Sequence, residues 1–156
     1  MAGIENLELT TGSGDDQVSL VLGATGTQFF NGNGGNDRAT ADFSSATQAV
    51  TTNTSSNGVL ALRTFSITGQ SVSLANIEHF SVIGGSGNDK LTGANGDDVL
   101  IGNDGADVLS GSRGNDALSG GSGDDVLDGN EGIDVVQGGA GDDKIYVEDG
   151  GADAID

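Results

Sequence analysis

The sequence predicts an all-β solenoid in which short parallel strands form two facing sheets, with eighteen residues in each coil. Three observations carry this prediction: nine-residue units follow one another without a gap, one position of each unit is always apolar, and glycine recurs where turns are needed. Of 156 residues 29 are Gly, and the chain contains neither Pro nor Cys. Aromatic residues make up only 4%, so an ordinary core of large side chains is excluded.

The repeated units run from residue 84 to residue 146. They read GGSGNDKLT, GANGDDVLI, GNDGADVLS, GSRGNDALS, GGSGDDVLD, GNEGIDVVQ and GGAGDDKIY. Positions 1 and 4 are always Gly, position 6 is always Asp, and position 8 is always Leu, Val or Ile. A flexible acidic linker has no reason to keep position 8 apolar, so the pattern indicates a folded repeat.

The last three residues of each unit are expected to alternate out-in-out, as a very short strand does. The position 8 side chains then point inward: Leu91, Leu100, Leu109, Leu118, Leu127, Val136 and Ile145. The six Gly-rich residues turn the chain by half a coil. Successive units therefore alternate between the two sheets, and units two apart stack directly.

Stacked units place their position 6 aspartates about 4.8 Å apart, the distance between paired strands. Carboxylates this close repel each other. Two Ca²⁺–oxygen bonds of about 2.3–2.6 Å sum to a similar distance, so a Ca²⁺ ion fits between them. The predicted ladders are Asp89, Asp107, Asp125 and Asp143 on one side and Asp98, Asp116 and Asp134 on the other. They would form about five interior sites.

The charge of the chain favours a cation as partner. With 24 acidic and 5 basic residues the net charge is −19, which excludes nucleic acid and anionic membranes, since both need Lys or Arg patches. No apolar run approaches transmembrane length, so membrane insertion is not expected. With no Cys and with His79 as the single His, clustered zinc sites are excluded. Such an acidic, core-poor chain should stay largely unfolded until Ca²⁺ binds.

The pattern GGxGxDxUx resembles the RTX (repeats-in-toxin), haemolysin-type calcium-binding nonapeptide repeat. The resemblance implies a right-handed parallel β-roll, a form of β-helix. It also implies that backbone carbonyls at alternating loop positions, taken here as positions 1, 3 and 5, complete the Ca²⁺ shell. These carbonyls belong to Gly84, Ser86, Asn88, Gly93, Asn95, Asp97, Gly102, Asp104, Ala106, Gly111, Arg113, Asn115, Gly120, Ser122, Asp124, Gly129, Glu131, Ile133, Gly138, Ala140 and Asp142.

The same resemblance implies a secreted, extracellular protein exported by type I secretion, whose sites load with Ca²⁺ outside the cell. The alternative is a structural or attachment module of an adhesin, surface-layer protein or enzyme, with a polysaccharide or other surface polymer as candidate partner. Enzymatic activity is not expected, because no Ser, Cys or carboxylate is placed near a base as nucleophilic catalysis requires. Repeated acid pairs such as Asp97 and Asp98 indicate metal loops rather than a general acid and base.

Residues 1–83 are expected to form a less regular β-solenoid with partial repeat loops and a candidate N-terminal cap. Two loops, TGSGDDQVS and GNGGNDRAT, place Asp16 and Asp37 at position 6, so both are candidate Ca²⁺ ligands. Their stacking partners cannot be named from the sequence. Residues 147–156 form a degenerate repeat end, where Asp153 is a further candidate ligand, one residue out of register.

Residues 39–83 carry no Gly-Asp loop. Short alternating runs at residues 59–62 and 71–74 predict strands that continue the solenoid with longer coils. Phe43, Phe65 and Phe80 would thicken its core. A separate ligand-binding surface in this half is the alternative.

Overall fold

The computed structural model describes residues 6–21, 26–56, 61–67, 70–146 and 154–156, and within these ranges the chain forms strands and no helix. The strands of the first half are β1 (Asn6–Thr10), β2 (Gln17–Val21), β3 (Gly26–Asn31), β4 (Arg38–Asp42), β5 (Thr51–Ser56), β6 (Ala61–Ile67), β7 (Gln70–Ala75) and β8 (His79–Ile83). Those of the second half are β9 (Lys90–Thr92), β10 (Val99–Asp104), β11 (Val108–Arg113), β12 (Ala117–Ser122), β13 (Val126–Glu131), β14 (Val135–Ala140), β15 (Lys144–Tyr146) and β16 (Ala154–Ile155).

The strands form two sheets, as predicted. One sheet has nine strands in the order β1-β3-β7-β6-β5-β9-β11-β13-β15, and the other has seven in the order β16-β14-β12-β10-β8-β4-β2. In the repeated half, neighbouring strands are parallel and pair residues eighteen apart, for example Leu109 with Leu127 and Leu100 with Leu118. The predicted all-β solenoid with eighteen-residue coils is therefore confirmed.

The core is a narrow double column of position 8 side chains. Leu91, Leu100, Leu109, Leu118, Leu127 and Val136 are at most 2% exposed, and Ile145 packs partly buried against them. Full burial of one such side chain contributes about 1.5–3 kcal/mol. In the first half the core widens around Phe43 and Phe80, each 2% exposed. The predicted inward face and the predicted thicker core are confirmed for these residues.

The central strands are longer than the three-residue strands predicted from the repeat. Strands β10 to β14 each contain six residues, because positions 1 to 3 of the next unit continue the pairing, as Asn103 does with Gly121. Only β9 and β15 have the predicted length. The turn is thus confined to positions 4 to 6, since the Gly at position 1 still follows an extended path.

The prediction that residues 39–83 simply continue the coils is wrong for one strand. Strand β6 runs antiparallel to both β5 and β7, so these three strands form a meander inside the nine-stranded sheet. In the other sheet β4 pairs directly with β8 across the insertion. The predicted strand at residues 71–74 lies within β7, and residues 59 and 60 of the other predicted run lie outside the described residues.

The meander and β8 cover the N-terminal edge of the repeated half. Strand β5 pairs with β9 and strand β8 pairs with β10, both in parallel. The first strand of each array column is thus paired rather than open. None of the described segments is a helix long and apolar enough to cross a membrane.

Candidate metal centre

The position 6 aspartates stack in the two predicted ladders. In each ladder the backbone N–H of one Asp donates to Oδ1 of the Asp eighteen residues later, at 2.7–2.9 Å. All seven except Asp143 are at most 2% exposed. This stacking is confirmed by the structure. Their role as Ca²⁺ ligands stays a prediction.

The second oxygen of these carboxylates faces the Gly at position 1. Oδ2 is buried without a hydrogen-bond partner in Asp107, Asp116 and Asp125. A Cβ added to Gly102 would lie 2.1 Å from Asp107 Oδ2 and 2.6 Å from the carbonyl oxygen of Gly120, in the next coil. The position that a side chain would fill is therefore bordered by two oxygens, one of which, Asp107 Oδ2, has no hydrogen-bond partner.

Burial of these carboxylates makes their charged form costly. Burial raises the pKa of Asp116 to about 7, and the neighbouring carboxylates of Asp98 and Asp134 add to the effect. Burial likewise raises the pKa of Asp107 to about 6, with further contributions from Asp89 and Asp125. A column of buried acids whose ionisation is costly is suited to a hard cation that supplies positive charge between them.

The residues present fit Ca²⁺ through oxygen atoms alone. In the described part of the chain no three His, Cys, Asp or Glu side chains converge on one point. The carboxylates therefore need backbone carbonyls to complete an oxygen shell, as the position 1 carbonyls are placed to do. When bound, the ion would supply positive charge between stacked carboxylates.

The loops adopt two conformations despite their common pattern. In the first two units the backbone N–H of position 2 donates to Oδ2 of the same loop, from Gly85 to Asp89 at 2.8 Å and from Ala94 to Asp98 at 2.5 Å. We call these loops closed. In the later units position 2 and position 4 both have positive φ, as in Asn103 at 77° and Gly105 at 123°. We call these loops open, because Asp107 Oδ2 has no such donor.

Apolar residues stand at the head of both ladders. Val50 occupies the place above Asp89 and donates its N–H to Oδ1 of that Asp at 2.7 Å. Phe80 does the same for Asp98 at 2.5 Å. Val50 and Phe80 are fully buried, so neither ladder continues upward as a carboxylate column.

The predicted carbonyl ligands at positions 1 and 3 have different surroundings. At position 1, five units bring the carbonyl of the next coil within 2.7 Å of the point where an added Cβ would lie; these glycines are Gly84, Gly93, Gly102, Gly111 and Gly120. At position 3 the carbonyls of Ser122, Glu131 and Ala140 accept backbone N–H groups of the preceding coil. These three position 3 carbonyls thus accept hydrogen bonds from the backbone of the neighbouring coil.

Position 5 forms an outer ladder of side-chain hydrogen bonds that was not predicted from the sequence. Side-chain oxygens of Asn88, Asp97, Asn115 and Asp124 each accept the N–H of the residue eighteen later, at 2.8–3.0 Å. These side chains are exposed. The signal was present, since five of seven units carry Asn or Asp at position 5. The exposed ion pair of Arg113 with Glu131, at 3.1 Å, also links stacked units.

The structure supplies the partner of Asp16 that the sequence left open. Asp16 donates its N–H to Oδ1 of Asp37 at 2.9 Å, so the two stack in the column of the seven-stranded sheet. Asp37 in turn donates its N–H to Oε2 of Glu78 at 2.9 Å. Asp153 lies outside the described residues.

The family model of the RTX calcium-binding nonapeptide repeat, which spans four copies, matches residues 83–118 and 119–154. No curated protein matches the chain. The family match covers the array in which the aspartates stack, and it confirms the resemblance seen in the nine-residue units. Residues 83–154 are therefore an array of RTX calcium-binding nonapeptide repeats.

Proposed function

We propose that this chain is a calcium-binding β-roll module that folds when Ca²⁺ reaches it outside the cell. One observation carries the proposal: Oδ2 of Asp107, Asp116 and Asp125 is buried without a donor and faces a position 1 carbonyl of the next coil. An ion that satisfies these oxygens in the folded chain alone adds its binding free energy to folding.

Charge supports the coupling of folding to the ion. The chain carries a net charge of −19, and its core contains mostly single Leu or Val side chains. Repulsion among stacked carboxylates opposes the fold in the absence of a cation, and the narrow core offsets little of it. The carboxylate repulsion and the small core together are the reason to expect that the chain folds when it binds the ion.

Secretion is proposed from the kind of site. Extracellular calcium modules have dissociation constants of about 10⁻⁴–10⁻³ M, far above cytosolic Ca²⁺. A chain that folds only at such concentrations would remain unfolded during synthesis and fold after export. The proposed role is binding and folding without catalytic turnover.

The test is far-UV circular dichroism of the chain in EGTA and in millimolar Ca²⁺, with Mg²⁺ as control. We expect strand signal to appear with Ca²⁺ and to be lost on chelation. Equal strand content in EGTA and Ca²⁺ would contradict the coupling of folding to the ion. Absence of any Ca²⁺ uptake by equilibrium dialysis would contradict the binding function itself.

A further inference from the structure

The loop at residues 32–37 has the open conformation, although it lies outside the residues that the family model matches. Asn33 at its second position has φ 62° and Gly35 at its fourth has φ 139°. The open loops of the array have positive φ at the same two positions, as in Asn103 and Gly105. The closed loops of the first two units have positive φ at neither position. By backbone conformation this N-terminal loop therefore belongs with the open loops.

Its carboxylate is also left without a donor. Asp37 is 1% exposed, and its Oδ2 is buried with no hydrogen-bond partner. A Cβ added to Gly32 would lie 2.2 Å from Asp37 Oδ2 and 2.4 Å from the carbonyl oxygen of Asn76. The same pair of oxygens, one from a carboxylate and one from a carbonyl of the next coil, borders Gly102 in the array.

The next coil on this side is not a repeat loop. Its connection is the short run Asn76-Ile77-Glu78, with no Gly and no Asp. Asn76 has φ 51°, a left-handed conformation that Asn tolerates better than most residues. Glu78 precedes His79, which pairs with Arg38, so Glu78 stacks on Asp37 and accepts its N–H. A Glu thus takes the stacking place that Asp has in the array.

The coil on the other side of Asp37 is arranged differently. Position 1 of that coil is Thr11 rather than Gly, and its hydroxyl donates to the carbonyls of Asn31 at 3.3 Å and Gly32 at 3.2 Å. The carbonyl that would face Asp16 therefore already has a donor. Asp16 Oδ2 is also buried without a hydrogen-bond partner, but among the described glycines of these two coils only Gly32 is approached by both a carboxylate oxygen and a carbonyl oxygen, those of Asp37 and Asn76.

We propose that Asp37, Glu78 and the backbone carbonyl of Asn76 form a Ca²⁺ site in the N-terminal half, separate from the repeat array. The chemistry is that of a hard divalent cation bound by oxygen: two carboxylates, one deeply buried, and a carbonyl beside a residue without a side chain. The site joins β4 to β8 across the inserted meander, so an ion here would fix the N-terminal coils to the array. This site can bind Ca²⁺ whether or not the repeat array does.

The test counts Ca²⁺ ions bound to the full chain by native mass spectrometry and measures their affinities by calorimetry. Asp37→Asn is expected to bind one ion fewer than the wild-type chain. Asp15→Asn is the matched control, because this exposed neighbour accepts the N–H of Asn36 at 2.9 Å and Asn can keep that bond. It should bind the wild-type number. An unchanged count in Asp37→Asn, or the same loss in Asp15→Asn, overturns the proposal.

Glu78→Gln tests the same site by a second variant, in case Asp37→Asn does not fold. Gln keeps an oxygen that can accept the Asp37 N–H and removes only the charge, so the coil should remain intact. We expect one ion to bind at least tenfold more weakly while the others keep their affinities. Unchanged affinities for every ion overturn the site. A wild-type chain that binds a single ion, lost in Asp37→Asn, would support this site while contradicting calcium binding by the array.

Discussion

The backbone N–H of Asp107 donates to Oδ1 of Asp125 at 2.8 Å, while Oδ2 of each carboxylate lies buried without a donor. One oxygen of each Asp therefore holds the coils in register and the other remains for a ligand. Because the two tasks fall on different atoms, a change that preserves Oδ1 can separate them.

Asp107→Asn should make that separation. The amide oxygen can still accept the N–H of Asp89, but the charge facing Gly102 is lost. We expect the Ca²⁺ midpoint of folding to rise by about tenfold or more, equivalent to about 1.4 kcal/mol. Circular dichroism titrations measure it, with the exposed Asp15→Asn as control. A midpoint equal to that of the control would show that the buried carboxylate does not bind the ion.

The closed loops should contribute less to Ca²⁺ binding than the open ones. Asp89 Oδ2 already accepts the N–H of Gly85, whereas Asp125 Oδ2 has no donor. We expect Asp125→Asn to lose at least one ion by native mass spectrometry and Asp89→Asn to lose none. Equal losses in the two variants would mean that the closed loops open when Ca²⁺ binds.

Gly102→Ala tests the close approach of two oxygens to position 1. The added methyl group would lie 2.1 Å from Asp107 Oδ2 and 2.6 Å from the Gly120 carbonyl oxygen. We expect a loss of about 1–3 kcal/mol in the Ca²⁺-bound state, as for an overpacked core. Gly34→Ala is the control, because nothing lies within 4 Å of its added Cβ. Thermal unfolding in Ca²⁺ compares the two, and equal melting temperatures would contradict the prediction.

Acid should stabilise the metal-free fold. Burial raises the pKa of Asp107 to about 6 and that of Asp116 to about 7, whereas an unfolded Asp titrates near 3.9. Between those values the folded chain holds protons that the unfolded chain has lost, so stability is greatest at the acid end and falls as pH rises towards about 7. In EDTA we expect more strand signal at about pH 4.5 than at about pH 7.5.

The same titration predicts the pH dependence of calcium binding. Protons on Asp107 and Asp116 must leave before these carboxylates can bind a cation, so Ca²⁺ affinity should rise with pH between about 5 and about 8. Calorimetry in two buffers of different ionisation enthalpy measures the protons released. No proton release near pH 6 would contradict the raised pKa values.

Much of the fold was predictable because the repeat has one period and each position has one role. Asp at position 6 and Leu, Val or Ile at position 8 determine the coil, the core and both ladders. The loop conformation was not predictable from local sequence. GGSGND at residues 84–89 is closed and GGSGDD at residues 120–125 is open, although they differ at one position. The coils above them differ, since Val50 stacks on Asp89 and Asp107 stacks on Asp125.

The N-terminal half was less predictable because its pairings span long insertions. Nothing in the Thr- and Ser-rich strands distinguishes a parallel neighbour from the antiparallel β6, since strand alternation is the same in both directions. The stacking of Glu78 on Asp37 depends on a register that skips 41 residues. Neither pairing has a repeat spacing that would reveal it.

Val50 and Phe80 are relevant to a problem common to tandem repeats: similar coils can pair in a register shifted by one coil. A slip of eighteen residues would preserve most Asp–Asp and Leu–Leu contacts between coils, so the array by itself specifies its alignment weakly. At the head of each column, however, the slip would set a fully buried apolar residue over a different Asp and leave one coil without a neighbour. Val50 and Phe80 thus mark the first coil of each column, and a slipped array would leave one coil unpaired there.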